Sequence, residues 1–184
     1  MQQKKEAFIN FQGEINSNTV ARFTATIQQK LTEGVERVVI LISSPGGQVA
    51  SGIAAYNLLR GIPAEVVTHN YGVIDSMAVV LFSGGQERYC VPDARFLLHG
   101  VGFRVPQNTR LEEKQLDERI KNLQIDRQNI ARIIAERCGK DASDVETDML
   151  EVKTLSSAEA VEYGLVHSIK TELMPKGADI TLIT

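Results

Sequence analysis

Three stretches of the chain carry groups that could act together on a carbonyl. In YGVIDSMAVVLFSGGQ, residues 71–86, Ser76 follows an aspartate and opens an apolar run. A serine hydroxyl attacks at neutral pH only when a neighbouring base takes its proton. His99, at the end of FLLH, belongs to the one residue type whose ordinary pKa suits that task. The turn SSPGGQ, residues 43–48, offers the amides of Gly46 and Gly47 with no side chain in the way, and the Met77 amide follows Ser76 directly. Amides at strand ends and helix starts lack internal partners, so such a group could form an oxyanion hole. Each feature also has a plainer reading. Ser76 could be a small residue at the start of a buried helix, Pro45-Gly46-Gly47 a tight turn, and His99 a structural histidine. Ile74 and Ala78 stand where a G-x-S-x-G elbow needs glycines, which disfavours an α/β-hydrolase.

The elements that must position these groups alternate along the chain. AFINFQGEI (7–15) and VERVVILISS (35–44) read as strands. The segment 16–34 between them has Asn and Ser caps, apolar spacing near 3.6 and a closing Gly34, which predicts a helix and hence a β-α-β unit. A helix over 48–62, a strand over 64–74, an apolar helix over 76–82 and two short strands within 87–100 follow. LEEKQLDERIKNLQIDRQNIARIIAERC, about 111–138, is a long charged helix. Its apolar positions Leu116, Ile120, Leu123, Ile130, Ile133 and Ile134 form a one-sided stripe that needs a partner surface. SSAEAVEYG is a Ser-capped short helix, LVHSI a closing strand, and KTELMPKGADITLIT a surface strand or a contact between subunits. The reading is α/β in a single domain, 1–184.

Composition narrows the function. The chain has 184 residues, 43% hydrophobic and 23% charged, with net charge −3 and no basic run, which argues against a dedicated nucleic-acid binder. No apolar run approaches the roughly 20 residues of a membrane span, and MQQKKEA is followed by no signal-peptide core, so a cytoplasmic location is expected. Cys90 and Cys138 suggest ordinary thiols. His69, His99 and His167 show no metal-ligand spacing, and neither a metal nor another cofactor is expected.

Taken in order, four motifs resemble one family, the Clp protease proteolytic subunits or ClpP family. They are LISSPGG (41–47), DSMAVVLFSGG (75–85), RYCVPDARFLLH (88–99) and LSSAEAVEYGLVHSI (155–169), spread over nearly the whole chain. The resemblance implies the ClpP/crotonase-like fold of repeated β-β-α units with a protruding handle helix. It also implies a serine endopeptidase acting on peptides or unfolded chains inside a self-compartmentalised ring. Ser76 would be the nucleophile, His99 the general base, and the Gly47 and Met77 amides the oxyanion hole. Substrate would bind as an added strand along the segment after Pro45. The 111–138 helix matches the handle by which family rings stack, implying a homo-oligomer, a heptameric ring or stacked tetradecamer.

The chain departs from the family at four places. Counting to the family's triad aspartate reaches Val152; Glu151 and Asp148 are the nearest carboxylates. Losing the orienting carboxylate costs about 10⁴ in turnover by the serine-protease precedent. Asp75 stands where the family has a small residue: its charge would oppose an oxyanion unless it points away or serves as a cap, and an interaction with His99 is a further option. Only six residues precede the first strand, so the family's axial pore loops are expected to be missing, which weakens the expectation of an AAA+ unfoldase partner. Extra residues are expected near 101–110. The alternatives are a catalytically impaired homologue serving as ring scaffold or regulatory subunit, a crotonase-like acyl-CoA enzyme, and a Ser-Lys dyad using Lys114.

Overall fold

Eight strands form one sheet in the computed structural model, which describes residues 4–103, 105, 107 and 109–184. The elements are β1 (Glu6–Gln12), α1 (Ser17–Thr32), β2 (Arg37–Ser44), α2 (Val49–Gly61), β3 (Glu65–Asp75), α3 (Met77–Phe82), β4 (Glu87–Cys90), β5 (Arg95–Leu98), α4 (Glu113–Cys138), α5 (Ala142–Leu150), β6 (Lys153–Ser156), α6 (Ser157–Glu162), β7 (Ser168–Ile169) and β8 (Ile180–Ile183). The strand order is β6-β5-β3-β2-β1-β8, with β4 pairing β3 and β7. All pairings are parallel except β5 with β6. A mainly parallel sheet is covered on both faces, which is why β2, RVVILISS, is apolar almost throughout. Val38, Ile40 and Ile42 face the main core beneath the helices. Val39 and Leu41 join Phe8 and Val67 in a smaller cluster covered by Leu173 and Met174.

The fork in β3 sets up the site. Its first half pairs β4 and its last three residues pair β5. The buried Asn70 side chain closes the gap, donating to the Arg95 carbonyl at 3.0 Å and accepting from the Gly72 amide at 2.9 Å. Arg88, buried at the start of RYCVPDARFLLH, fixes the opposite end. Its guanidinium donates to the carbonyls of Leu165, Arg137, Gly164 and Gly85, tying β4 to the end of α4 and the turn after α6. Burial lowers its pKa to about 10, and the four carbonyls explain why a charge is kept there.

The expected elements are present with shifted ends. β1 stops at Gln12 because Gly13, at φ 113, turns the chain; Ile15 instead makes an isolated bridge to Gly47. α6 begins at the expected Ser156 cap, whose hydroxyl receives the Glu159 amide. α4 starts two residues later than expected and ends at Gly139 in the left-handed region. Only its last turns, Ile130 to Ala135, are buried, while Leu116, Ile120 and Ile125 are exposed. LVHSI contributes only the two-residue β7, and the last strand is β8, which pairs β1. The extra residues expected near 101–110 fall partly outside the described residues.

Candidate active site

β3 ends at Asp75 and α3 begins at Met77, so Ser76 occupies the whole turn between strand and helix. It does so at φ 58 and ψ −127, a backbone conformation that non-glycine residues avoid and that is strained by about 1–3 kcal/mol. The turn is held because the Ser76 amide donates to the Leu97 carbonyl at 2.8 Å, extending the β3–β5 ladder by one bond. All six residues of α3 are buried, which anchors the turn from the other side.

Gly46 lies against this turn. A Cβ there would fall 2.6 Å from the Asp75 carbonyl oxygen and 2.7 Å from Ser76 Cβ. Gly47 is pinned more tightly, since a Cβ would fall 2.1 Å from the Ile15 carbonyl oxygen. The Ile15 amide donates to the Gly46 carbonyl, and the Gln48 amide donates to the Ile15 carbonyl, both at 2.8 Å. An extended residue's own N–H and C=O point to one side, so those of Gly47 point away from Ile15. Met77 supplies the first amide of α3, which a helix leaves without an internal partner.

These groups converge. Ser76, Met77, Gly47 and His99 line one cavity of about 120 Å³, with Leu98, Ile130, Ile134 and Met149 as apolar wall. The imidazole Nδ1 lies 2.7 Å from the Gly100 carbonyl oxygen, so Nδ1–H donates there and Nε2 is left as the basic nitrogen. Among the described residues no hydrogen bond joins Ser76 to His99; catalytic contacts often tighten only when substrate binds.

The carboxylates near the family's third position are elsewhere engaged or exposed. Asp148 accepts from Lys153 Nζ at 2.6 Å and from the Tyr163 hydroxyl at 2.8 Å, and the buried hydroxyl's pKa is pushed far up. Glu151 is exposed at the C-cap of α5. β5 and β6 pair Leu98 with Lys153, so His99 and Val152 are the next residues beyond that end of the ladder. Val152 is 57% exposed at φ 60. Lys114 stands on the first turn of α4, 16 residues before the wall residue Ile130, or about 24 Å along the helix, which separates it from the cavity. Asp75 does not line the cavity; its Oδ2 accepts from Arg95 Nη2 at 2.6 Å. Sequence reasoning missed that ion pair, although two charges in strands ending at one site were a signal.

Cys90 and Cys138 are free thiols, and burial pushes Cys138 up to about 11. Among the described residues no three His, Cys, Asp or Glu side chains converge as a metal site. No helix among them is long and apolar enough to cross a membrane.

Comparison with known proteins gives a consistent family. The model of the Clp protease family matches residues 2–172. An ATP-dependent Clp protease proteolytic subunit of Chlorella vulgaris is 36% identical over 72% of this chain and 65% of its own length. The proteolytic subunit 1 of Salinibacter ruber is 28% identical over 91% of the chain and 72% of its own length. For subunit 3 of Streptomyces coelicolor, identity is 33% over 74% of the chain and 62% of that protein. The chain thus spans a little under two thirds of the algal and Streptomyces relatives. Among solved structures, a ClpP1 point mutant from Listeria monocytogenes superposes with a TM-score of 0.80, covering 90% of this chain and 91% of that one, at 22% identity, a likeness of fold. With the family model matched along nearly all of its length, this chain belongs to the Clp protease family.

Proposed function

We propose that the chain is a serine peptidase that cleaves peptides or unfolded protein chains, with Ser76 as nucleophile and His99 as general base. The observation that carries this reading is the convergence of a strained Ser76, a histidine with basic Nε2 and the Gly47 and Met77 amides on one cavity. Oγ attacks the scissile carbonyl as its proton passes to Nε2. The carbonyl oxygen becomes an anion that the two amides receive, and they are fixed in place before charge develops. The proton then moves from Nε2 to the leaving amine as the C–N bond breaks, and water repeats the sequence on the acyl-serine. Substrate lies extended along Gly47, whose N–H and C=O face away from Ile15 and can pair with another chain.

The exposed Leu116, Ile120 and Ile125 on α4 support a homo-oligomer, a heptameric ring or two stacked rings, in which a second copy covers them. One observation favours a second reading: the residue just past the β6 end of the ladder beside His99 is Val152, which has no carboxylate to orient the imidazole, as in an impaired subunit that serves as ring scaffold. Hydrolysis of a fluorogenic peptide by the purified oligomer separates the readings. Turnover that is lost in H99A and kept in K114A supports the peptidase. Turnover that survives in H99A contradicts the assigned base, and none in the assembled wild type moves the assignment to the scaffold.

A further inference from the structure

One charged group beside the site has no part in the mechanism above. β3 and β5 pair with Asp75 opposite Leu97. Residues two apart on a strand share a face, so Asp75 sits between Arg95 on one diagonal and His99, just past the end of β5, on the other. The Arg95 diagonal is seen directly, with Nη2 donating to Asp75 Oδ2 at 2.6 Å. The second oxygen, Oδ1, is buried and receives no hydrogen bond among the described residues. A buried carboxylate oxygen without a donor is costly, and its charge is correspondingly unquenched.

We propose that Asp75, anchored by Arg95, supplies the negative charge that stabilises the His99 imidazolium, while the Gly100 carbonyl holds the ring's tautomer, the two together replacing the carboxylate absent at Val152. The inference rests on the reading of Ser76 as nucleophile and His99 as base. In that step the Oγ–C bond forms, the Oγ proton moves to Nε2, and the pair of charges created is imidazolium and oxyanion. Asp75 exchanges no proton or electron; its charge offsets the cation until the proton leaves with the amine. Asp75 acts through His99, so it is a positioning residue. It does not line the cavity that holds the Gly47 and Met77 amides, and Arg95 neutralises part of its field toward the oxyanion.

The electrostatics agree. Burial raises the Asp75 pKa, and the charges of Arg95 and His99 pull it back. Among the described residues, the α5–β6 junction beside the end of β5 carries Asp148, paired with Lys153, and Glu151.

The test is an NMR titration of the intact oligomer carrying ¹³Cε1-labelled histidine, with H99Q assigning the His99 signal. D75N is expected to lower the His99 midpoint by about half a pH unit or more, and R95Q to raise it. The acylation rate of D75N by a fluorophosphonate should fall at neutral pH, with its rising limb displaced to lower pH and partial recovery in D75E. An unchanged His99 midpoint in D75N overturns the proposal. If D75N does not assemble, R95Q decides: a raised midpoint supports the proposal and an unmoved one overturns it. The titration does not depend on turnover, so failure of the peptidase reading, seen as acylation that persists in S76A or H99A, is distinguished from failure of this one.

Discussion

The β3–α3 turn, which lines the cavity through Ser76, and the α5–β6 junction, which follows the lining residue Met149, are built differently. At the first, Ser76 is strained but surrounded: a ladder bond to Leu97, two glycines with no room for a Cβ, and a helix of six buried residues. At the second, Val152 is also at positive φ but is exposed, and its neighbours Asp148 and Glu151 serve a local ion pair and a helix end. Strain persists where the surroundings over-determine it, and it marks function there. Strain at an exposed β-branched residue has no such support. The turn proposed to carry the nucleophile and the oxyanion amides is thus firmly built, and the junction nearest the proposed base is not.

Substitution at the firm side should have the largest effect. Gly47→Ala sets a Cβ into the Ile15 carbonyl, and the segment can relieve the clash only by moving its amide. We expect acylation to fall about 10²–10³-fold, the loss typical of an oxyanion-hole donor. Stability should fall by about 3 kcal/mol in chemical denaturation. Native-like acylation in G47A would break the contrast.

The weak side invites a gain. Val152→Asp sets a carboxylate just past the β6 end of the ladder beside His99 and replaces a β-branched residue at φ 60 with one that tolerates that conformation better. Peptide turnover should rise, by less than about tenfold if Asp75 already supplies charge and by more in a D75N background, a coupling that the four-member mutant cycle measures. Equal gains in both backgrounds would sharpen the comparison against Asp75.

The chain shows unevenly which of these features it carries. The Ser76 turn, the Gly-Gly segment and the α6 cap were legible because each is a local pattern with a local cause. α5, within DASDVETDML, was not foreseen: it buries little more than Val145 and Met149, too few apolar positions to show a period. β8 was read only as an optional surface strand because its partner, β1, lies at the other end of the chain. Which oxygen of Asp75 meets Arg95 depends on where β3 changes partner, and that is set by Asn70 bridging the fork rather than by either strand's sequence. The Gly100 carbonyl as the Nδ1 acceptor was not legible, since any residue could supply it.

A smaller effect lies away from the cavity. The Arg88 amide donates to His167 Nδ1, so that imidazole must be neutral, and burial together with Arg88 and Arg137 lowers its pKa. A base whose folded pKa is depressed binds fewer protons than in the unfolded chain. Its contribution is complete above about pH 6.5 and is lost as pH falls toward the folded value. Thermal midpoints should therefore drop between about pH 7.5 and about pH 5.5, and less so in H167Q. An equal drop in both would assign the acid sensitivity elsewhere, for instance to the buried His69, whose pKa burial also lowers.

The central claim is that an activated nucleophile is present despite the valine at 152. The most direct measurement is reaction of the assembled protein with a fluorophosphonate at neutral pH, with the adduct located by mass spectrometry. A single adduct on Ser76, absent from S76A and H99A, is the predicted result. An unlabelled Ser76 in the intact wild-type oligomer, or an adduct retained in H99A, would contradict it.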